Sequence, residues 1–363
     1  MKNKTCLLFI GILLSVSIFA QNVNNIQMPE LLNESVRKTI NIPNILGYQT
    51  LKCDFHTHTV FSDGVVWPTV RIDEAWQEGL DAIAITDHIE GNPSKDQIEG
   101  DHNSSYEIAL PRAIQKNIIL IHAGEITRDM PPGHFNALFL KDTNPLDTPD
   151  YMEAFKAASE QGAYIIWNHP GWKSQQPDTC KWWDIHTELY EKGWLNGIEV
   201  FNEKEWYPIA LDWCVEKDLA ITAASDIHGI TAGMYNLQKY HRPMTLVLAK
   251  KRTEESIREA LFDNRTVAWF GNNLAGKEEY LKAIFETAVD IRFYNETRRG
   301  KVYIANNNSD VPFHLISDAG QKFNIPANGE TMITLKENNR NFEVNNLFVK
   351  GTKNLKISLN LSE

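Results

Sequence analysis

Asp54-Phe55-His56-Thr57-His58, followed by Ser62-Asp63-Gly64, stands where the first β-rich run of the chain, 51–55, gives out. Strand side chains alternate between faces, so His56 and His58 aim together, as two ligands of one ion would. Asp63 returns in the loop that follows. A lone His-x-His is a weak signal; repetition gives it weight. The run 81–86 ends in Thr86-Asp87-His88, and the run 118–126 ends in Gly124-Glu125-Ile126. The run 163–167 leads into Asn168-His169-Pro170, and 220–224 into Ser225-Asp226-Ile227-His228-Gly229. Ligand-type residues thus recur at the C-terminal edge of successive strands, the edge on which barrel enzymes build their sites. His134 is the exception, because Gly133-His134 precedes its run, 135–140.

These runs, with 197–201, are nearly continuous in Ile, Val, Ala and Leu, as strands covered on both faces should be. Helix-length stretches separate most of them. In 150–160, Tyr151, Ala154, Phe155 and Ala158 follow the spacing of one buried helix face. In 68–79, Pro68 suits the first helical turn, where its missing N–H costs nothing. The linker before Phe135 shows no helix. Repeated βα alternation predicts an α/β fold with a parallel sheet, open or closed into a barrel. A further strand, helix and strand are expected at 245–249, 253–263 and 266–270.

Six histidines (His56, His58, His88, His134, His169 and His228) and three carboxylates (Asp63, Glu125 and Asp226) fall into the set. A polar rim of that density without compensating charge is costly in a dry site. Imidazole and carboxylate without thiolate suit Zn, Mn or Fe. Nine candidates exceed the needs of one ion and suit two or three.

The ordered set His56-x-His58, Ser62-Asp63-Gly64, Thr86-Asp87-His88, Glu125, Gly133-His134, His169 and Asp226-x-His228 resembles the PHP family, named for polymerase and histidinol phosphatase. The resemblance spans roughly 51–271 and matches all nine ligand positions in order. It implies a distorted seven-stranded β/α barrel, a trinuclear Zn, Mn or Fe site and phosphoester hydrolysis. It further implies that His56, His58, Glu125 and Asp226 form one deep site with Glu125 bridging. Glu125, His134 and His169 with a first-strand ligand would form the second, and Asp63, His88 and His228 the third. Exported phosphodiesterases of the family with a β-rich tail look most similar. The family usually has Pro-Gly-x-Glu before its glutamate, where this chain has His122-Ala123-Gly124-Glu125. His122 falls outside the matched positions and reads as a strand histidine with a local hydrogen bond.

The expected chemistry is attack of a metal-bound hydroxide on phosphorus, since ligation lowers the pKa of water from 15.7 to roughly 7. Asp63 or His228 is the candidate to protonate the leaving alkoxide, with Glu125 as the bridging group. Arg128 and Lys173 are the preferred phosphate clamps, with Arg242 a third candidate and Asn202 a further substrate contact. Trp67, Trp172 and Trp206 fall in loops near the same rim. A small-molecule phosphodiester is favoured as substrate over a monoester. The rivals are an amidohydrolase-like barrel acting on carbon and a metal-stabilised binding module. The first usually wants a Lys where this chain has Glu125; the second needs only four ligands.

Composition bounds the partners. With 36 Lys and Arg against 47 Asp and Glu the chain is acidic, which excludes broad electrostatic binding of nucleic acid. Lys2 and Lys4, the short apolar run 6–19 and Ala20 before Gln21 read as a signal peptide, 1–20, and so as export to the periplasm or beyond with no membrane span after cleavage. After cleavage Cys53, Cys180 and Cys214 remain, an odd, widely spaced set and no disulfide framework. The order of parts expected is signal peptide, lead-in segment 21–50, barrel 51–287 and a β-rich tail 288–363. Short alternating segments punctuated by Gly300, Gly320, Gly329 and Gly351 make that tail a small antiparallel β-sandwich, a packing or docking module.

Overall fold

The computed structural model describes residues 28–32, 36–336, 340–359 and 361; the expected signal peptide lies outside them. The chain divides into two compact units at Val36 and Arg37. The described part of the first holds one short turn, Pro29–Leu31.

The second unit, Arg37–Glu363, opens with strands β1 (Gln49–Asp54), β2 (Ala82–Ile85), β3 (Ile119–Ile126), β4 (Phe135–Leu138), β5 (Tyr164–Trp167), β6 (Gly197–Asn202), β7 (Glu205–Trp206), β8 (Ala220–Ala224), β9 (Met244–Ala249), β10 (Thr266–Phe270) and β11 (Asn273–Gly276). Helices α1 (Pro68–Gln77), α2 (Ser104–Lys116), α3 (Tyr151–Glu160), α4 (Asp184–Glu191), α5 (Pro208–Lys217), α6 (Thr231–Met234), α7 (Glu254–Phe262) and α8 (Glu278–Ala288) lie between and after them. Local chemistry sets the helix starts. Asp150 accepts from the Met152 N–H at the head of α3, Thr253 from the Ser256 N–H at the head of α7, and Pro68 opens α1. Ala154, Phe155 and Ala158 are the buried face of α3.

The sheet runs β11-β10-β9-β1-β2-β3-β4-β5-β6, with β8 on the other side of β6. It curls round until β8 lies beside β9 and β10. There threonine hydroxyls take part in place of a main-chain ladder. The Ala223 N–H donates to Thr245 Oγ1 and the Ile221 N–H to Thr266 Oγ1, both at 3.0 Å. The expectation of a parallel sheet is corrected at two places. β4 is antiparallel to both β3 and β5, and β9 is antiparallel to both β1 and β10. The helix-free linker before Phe135 is the reason for the first: eight residues make a hairpin connection, whereas a parallel crossover needs a dozen or more.

The tail strands are β12 (Val289–Thr297), β13 (Gly300–Asn307), β14 (Phe313–Ser317), β15 (Lys322–Ile325), β16 (Gly329–Leu335), β17 (Asn341–Lys350) and β18 (Lys353–Ser358). They form the sheet β12-β13-β16 and the ladder β15-β14-β17-β18. The second continues the barrel sheet, because β17 pairs with β11 through Leu274↔Leu347 and Ala275↔Phe348. α8 joins the same core, with Phe285 set edge-to-face on Phe313.

A buried ionic network braces the rim. Arg71 donates to the carbonyls of His58, Ile227 and Gly229, bracketing the first and last motifs. Arg242 donates to Glu78, to Thr231 and to Asp54, whose carboxylate also takes the Ser225 hydroxyl. Arg242 is fully buried; it is a strut and not a phosphate clamp, which corrects its candidacy. Removing one partner of a buried ion pair strands the other charge. Arg242→Leu is expected to cost about 3–5 kcal/mol, read as a drop in the denaturant midpoint; an unchanged midpoint would mean the network is dispensable.

Candidate metal centre

All nine ligand candidates meet at one rim. Residues of four groups bring donor atoms within 4.8 Å of one another: His58, Asp63, His88 and His228; His56, His58 and Glu125; His56, His169 and Asp226; and His88, Glu125 and His134. The antiparallel run of β4 explains His134. Phe135 pairs with Ile126, so the residue preceding β4 sits where β3 leaves the sheet. The grouping differs from that implied by the resemblance, and His58 also joins Asp63, His88 and His228. His169 joins His56 and Asp226, while His134 joins His88 and Glu125.

Hydrogen bonds set which imidazole nitrogen faces inward. His56 Nδ1 lies 2.8 Å from Glu199 Oε1, which can only accept, so Nδ1 holds the proton and Nε2 presents a lone pair. His228 Nδ1 lies 2.8 Å from the Asp226 carbonyl, which frees its Nε2 toward Asp63, 3.0 Å away. Among the nine ligand candidates, four buried atoms have no hydrogen-bond partner: His56 Nε2, His58 Nε2, Glu125 Oε2 and Asp226 Oδ1. Asp226 Oδ1 stands 3.2 Å from His56 Nε2 and 3.1 Å from His58 Nε2. Lone pairs crowded against carboxylate oxygens repel each other unless positive charge lies among them. The donor set therefore fits divalent cations.

The backbone around these donors is held without slack. The Thr59 N–H and hydroxyl and the Ser62 hydroxyl all donate to Asp87, and Ser62 Oγ is 3.3 Å from His58 Nδ1. A Cβ on Gly64 would come within 2.7 Å of the His58 carbonyl carbon and the Thr59 nitrogen. Asp226 and His169 both have left-handed backbone, at φ 50° and 26°, a conformation side-chain-bearing residues keep where surrounding structure enforces it.

Charge is arranged to suit a cation. Burial alone would raise the carboxyls of Glu125 and Asp226, but the histidines around them hold both well below the usual range. Burial lowers His88, yet Glu125 and Asp63 outweigh it and push it up to about 10. His56, His169 and His228 are raised by the same contest between burial and carboxylates. Burial and the neighbouring His88 bring His58 down to about 4, and burial does the same to His186 and His241. The raised histidines contribute stability below their ordinary value of about 6.5 and lose it as pH climbs toward their folded values. The lowered histidines contribute above about 6.5 and lose it as pH falls toward 4. The chelated protein is therefore expected to be most stable near pH 6.5 and to lose thermal midpoint toward pH 9. Added Zn or Mn should remove that alkaline loss by replacing protons as the positive charge. A midpoint that rises from pH 6.5 to 9 in chelator would contradict this.

The other site candidates scatter. Arg128 is spent on Glu90, 2.7 Å away, and on the carbonyls of Thr148 and Pro149. Lys173 is exposed and lines a neighbouring groove, not the cavity over the donors. Asn202 does line that cavity, but its amide donates to Glu199. Trp172 lines it, whereas Trp206 stacks on Phe270 and Trp67 tilts against Phe61. His122 bonds Thr143 and stacks on Tyr106 away from the rim.

Two residues escaped the sequence reading. Glu199, on β6, accepts from His56 Nδ1, from the His169 N–H and from Asn202. Asn168 donates to Glu125 Oε1 at 2.8 Å. The available mark of Glu199 was a charge inside a run, 197–201, otherwise read as covered on both faces.

Comparison places this geometry. A crystal structure of a two-domain protein from Bacteroides vulgatus, described as containing a predicted PHP-like metal-dependent phosphoesterase, is 43% identical, with a TM-score of 0.87 over 90% of this chain and 99% of that one. The chain belongs to the PHP-like metal-dependent phosphoesterases. A proposed metal-dependent phosphoesterase from Bifidobacterium adolescentis is 17% identical over 58% of this PHP-like chain and 95% of that one, with a TM-score of 0.42. An amidohydrolase from Chromobacterium violaceum is 14% identical over 49% and 87%, with a TM-score of 0.38. Neither of these two overlays closely enough to inform the site. A family model described as an Ig-like domain matches residues 289–360. None of the curated proteins matches the chain. In this PHP-like phosphoesterase the described helices include none long and apolar enough to cross a membrane.

Proposed function

We propose that this PHP-like protein hydrolyses small-molecule phosphodiesters with two or three Zn, Mn or Fe ions held by the nine rim residues. The observation that carries the reading is the convergence of His56 Nε2, His58 Nε2, Glu125 Oε2 and Asp226 Oδ1, buried and without hydrogen-bond partners. Bound ions would supply Lewis acidity toward a phosphoryl oxygen and a lowered pKa for water. The chain's own residues do the rest. Glu199 keeps the proton of His56 on Nδ1 and steadies His169. With two ions held by the deeper residues, Asp63 and His228, 3.0 Å apart at the more open side of the cluster, would be free to hold a proton and pass it to a leaving alkoxide.

A diester suits the cavity better than a monoester. Among the described residues lining it there is no Lys or Arg, while Asp63, Glu203, Glu205 and Asp226 are all there. A monoester dianion brings one more negative charge into these surroundings than a diester does. We further propose that 1–20 is an export signal, that 51–287 is the catalytic part, and that 288–363 serves packing or docking.

The test is metal content of the purified protein, with turnover of bis(p-nitrophenyl) phosphate and p-nitrophenyl phosphate before and after chelation. Two or three ions per chain and chelator-sensitive cleavage favouring the diester are expected. One ion or none, with neither ester cleaved after Zn or Mn is restored, would overturn the proposal.

A further inference from the structure

The cavity over the donors, about 240 Å³, has an outer wall that the phosphoester chemistry leaves unused. Its residues are Trp172, Glu203, Glu205, Tyr207 and Met234. The two acids come from the β6–β7 hairpin, in which Asn202 pairs with Glu205 and Phe201 with Trp206. The hairpin is pinned over the rim, since the Glu203 N–H donates to the Ala224 carbonyl and the Glu203 carbonyl accepts from the Tyr235 hydroxyl. Tyr207 is only 6% exposed and donates its hydroxyl to Glu205 at 2.8 Å. Its ring lies against Gly171, where any Cβ would come within 2.8 Å of the ring carbons. Trp172 stands beside it, 40% exposed, with its ring edge-on to His169.

Asp63 and Asp226 face histidines, whereas Glu203 and Glu205 do not. Among the described residues Glu203 has only the exposed Lys204 at 3.1 Å, a pair worth little in water, and Glu205 has the Tyr207 hydroxyl. Two carboxylates beside two aromatic rings, with no Lys or Arg in the lining, disfavour an anionic arm at this wall and give a neutral arm nothing to use. They suit a cation, which both the carboxylates and the ring faces attract.

We propose that one alcohol arm of the substrate carries an ammonium group, primary or quaternary, held by Glu203, Glu205, Trp172 and Tyr207. The proposal rests on the phosphodiesterase reading above. In the reaction one water is consumed: its oxygen bonds to phosphorus, the P–O bond to one alcohol breaks, and the leaving oxygen keeps the bonding pair and takes a proton.

The full chain, loaded with Zn or Mn, is tested on p-nitrophenyl phosphocholine and on p-nitrophenyl 3,3-dimethylbutyl phosphate, which replaces the trimethylammonium by a neutral group of the same shape. The expected result is a kcat/KM about tenfold higher for the choline ester. The ratio should fall toward one in Glu203→Gln/Glu205→Gln and drop in Trp172→Leu, an exposed position where misfolding is not at issue. Equal kcat/KM for the two esters, or a ratio unmoved in both variants, overturns the ammonium proposal; continued turnover of bis(p-nitrophenyl) phosphate then leaves the phosphodiesterase reading standing. Loss of turnover on all three esters overturns that reading and this proposal with it.

Discussion

Glu125→Gln is expected to lower phosphoester turnover by about 10³-fold and to reduce the metal content of the purified protein. Glu125 belongs to two donor groups, with His56 and His58 and with His88 and His134. Its Oε1 accepts from Asn168, and its Oε2 is buried with no hydrogen-bond partner. A glutamine there must either turn its NH2 against the Asn168 NH2 or point it into the donor cluster. Either way one negative charge is gone from the place where the groups meet. Metal ions contribute several kcal/mol to such a barrier, and each 1.4 kcal/mol is about tenfold in rate. Elemental analysis and a chelator-controlled assay read both effects. A variant that keeps wild-type metal content and turnover would remove Glu125 from the site.

Glu199→Gln carries the second large effect, through groups it does not replace. The carboxylate takes three donors: His56 Nδ1–H and the N–H groups of His169 and Asn202. A glutamine has one acceptor arm and one donor arm, so at least one of these donors faces another donor. The cheapest relief is for His56 to move its proton to Nε2, the atom that faces the cluster, and so spoil a ligand. Loss of such an orienting carboxylate costs about 10–100-fold in metal affinity. Competition with a chelator of known affinity measures it directly, apart from activity. Unchanged affinity would mean that packing alone holds His56 in place.

The β/α alternation and eight of the nine rim positions could be read from the chain because both follow from local rules. A strand end puts its last side chains on one edge, and Asp150, Thr253 and Pro68 mark helix starts within a few residues of themselves. His134 resisted, since a short apolar run carries no mark of its direction in the sheet; only the hairpin with β3 brings its leading residue to the shared rim. Arg128, Lys173 and Arg242 failed as clamps for a related reason. Closeness in sequence to a ligand does not say where a long side chain ends, and Glu90, open solvent and the Asp54–Glu78 pair claimed these three.

By itself, then, the sequence determined the kinds of donor and the strand ends that carry them, because residue type and a period of two are local properties. Tertiary structure alone decided which donors share a group, that Glu199 stands behind His56, and that an acidic, aromatic hairpin overhangs the centre. Those are distances between strands far apart along the chain, set by how the sheet curls and by the direction of β4.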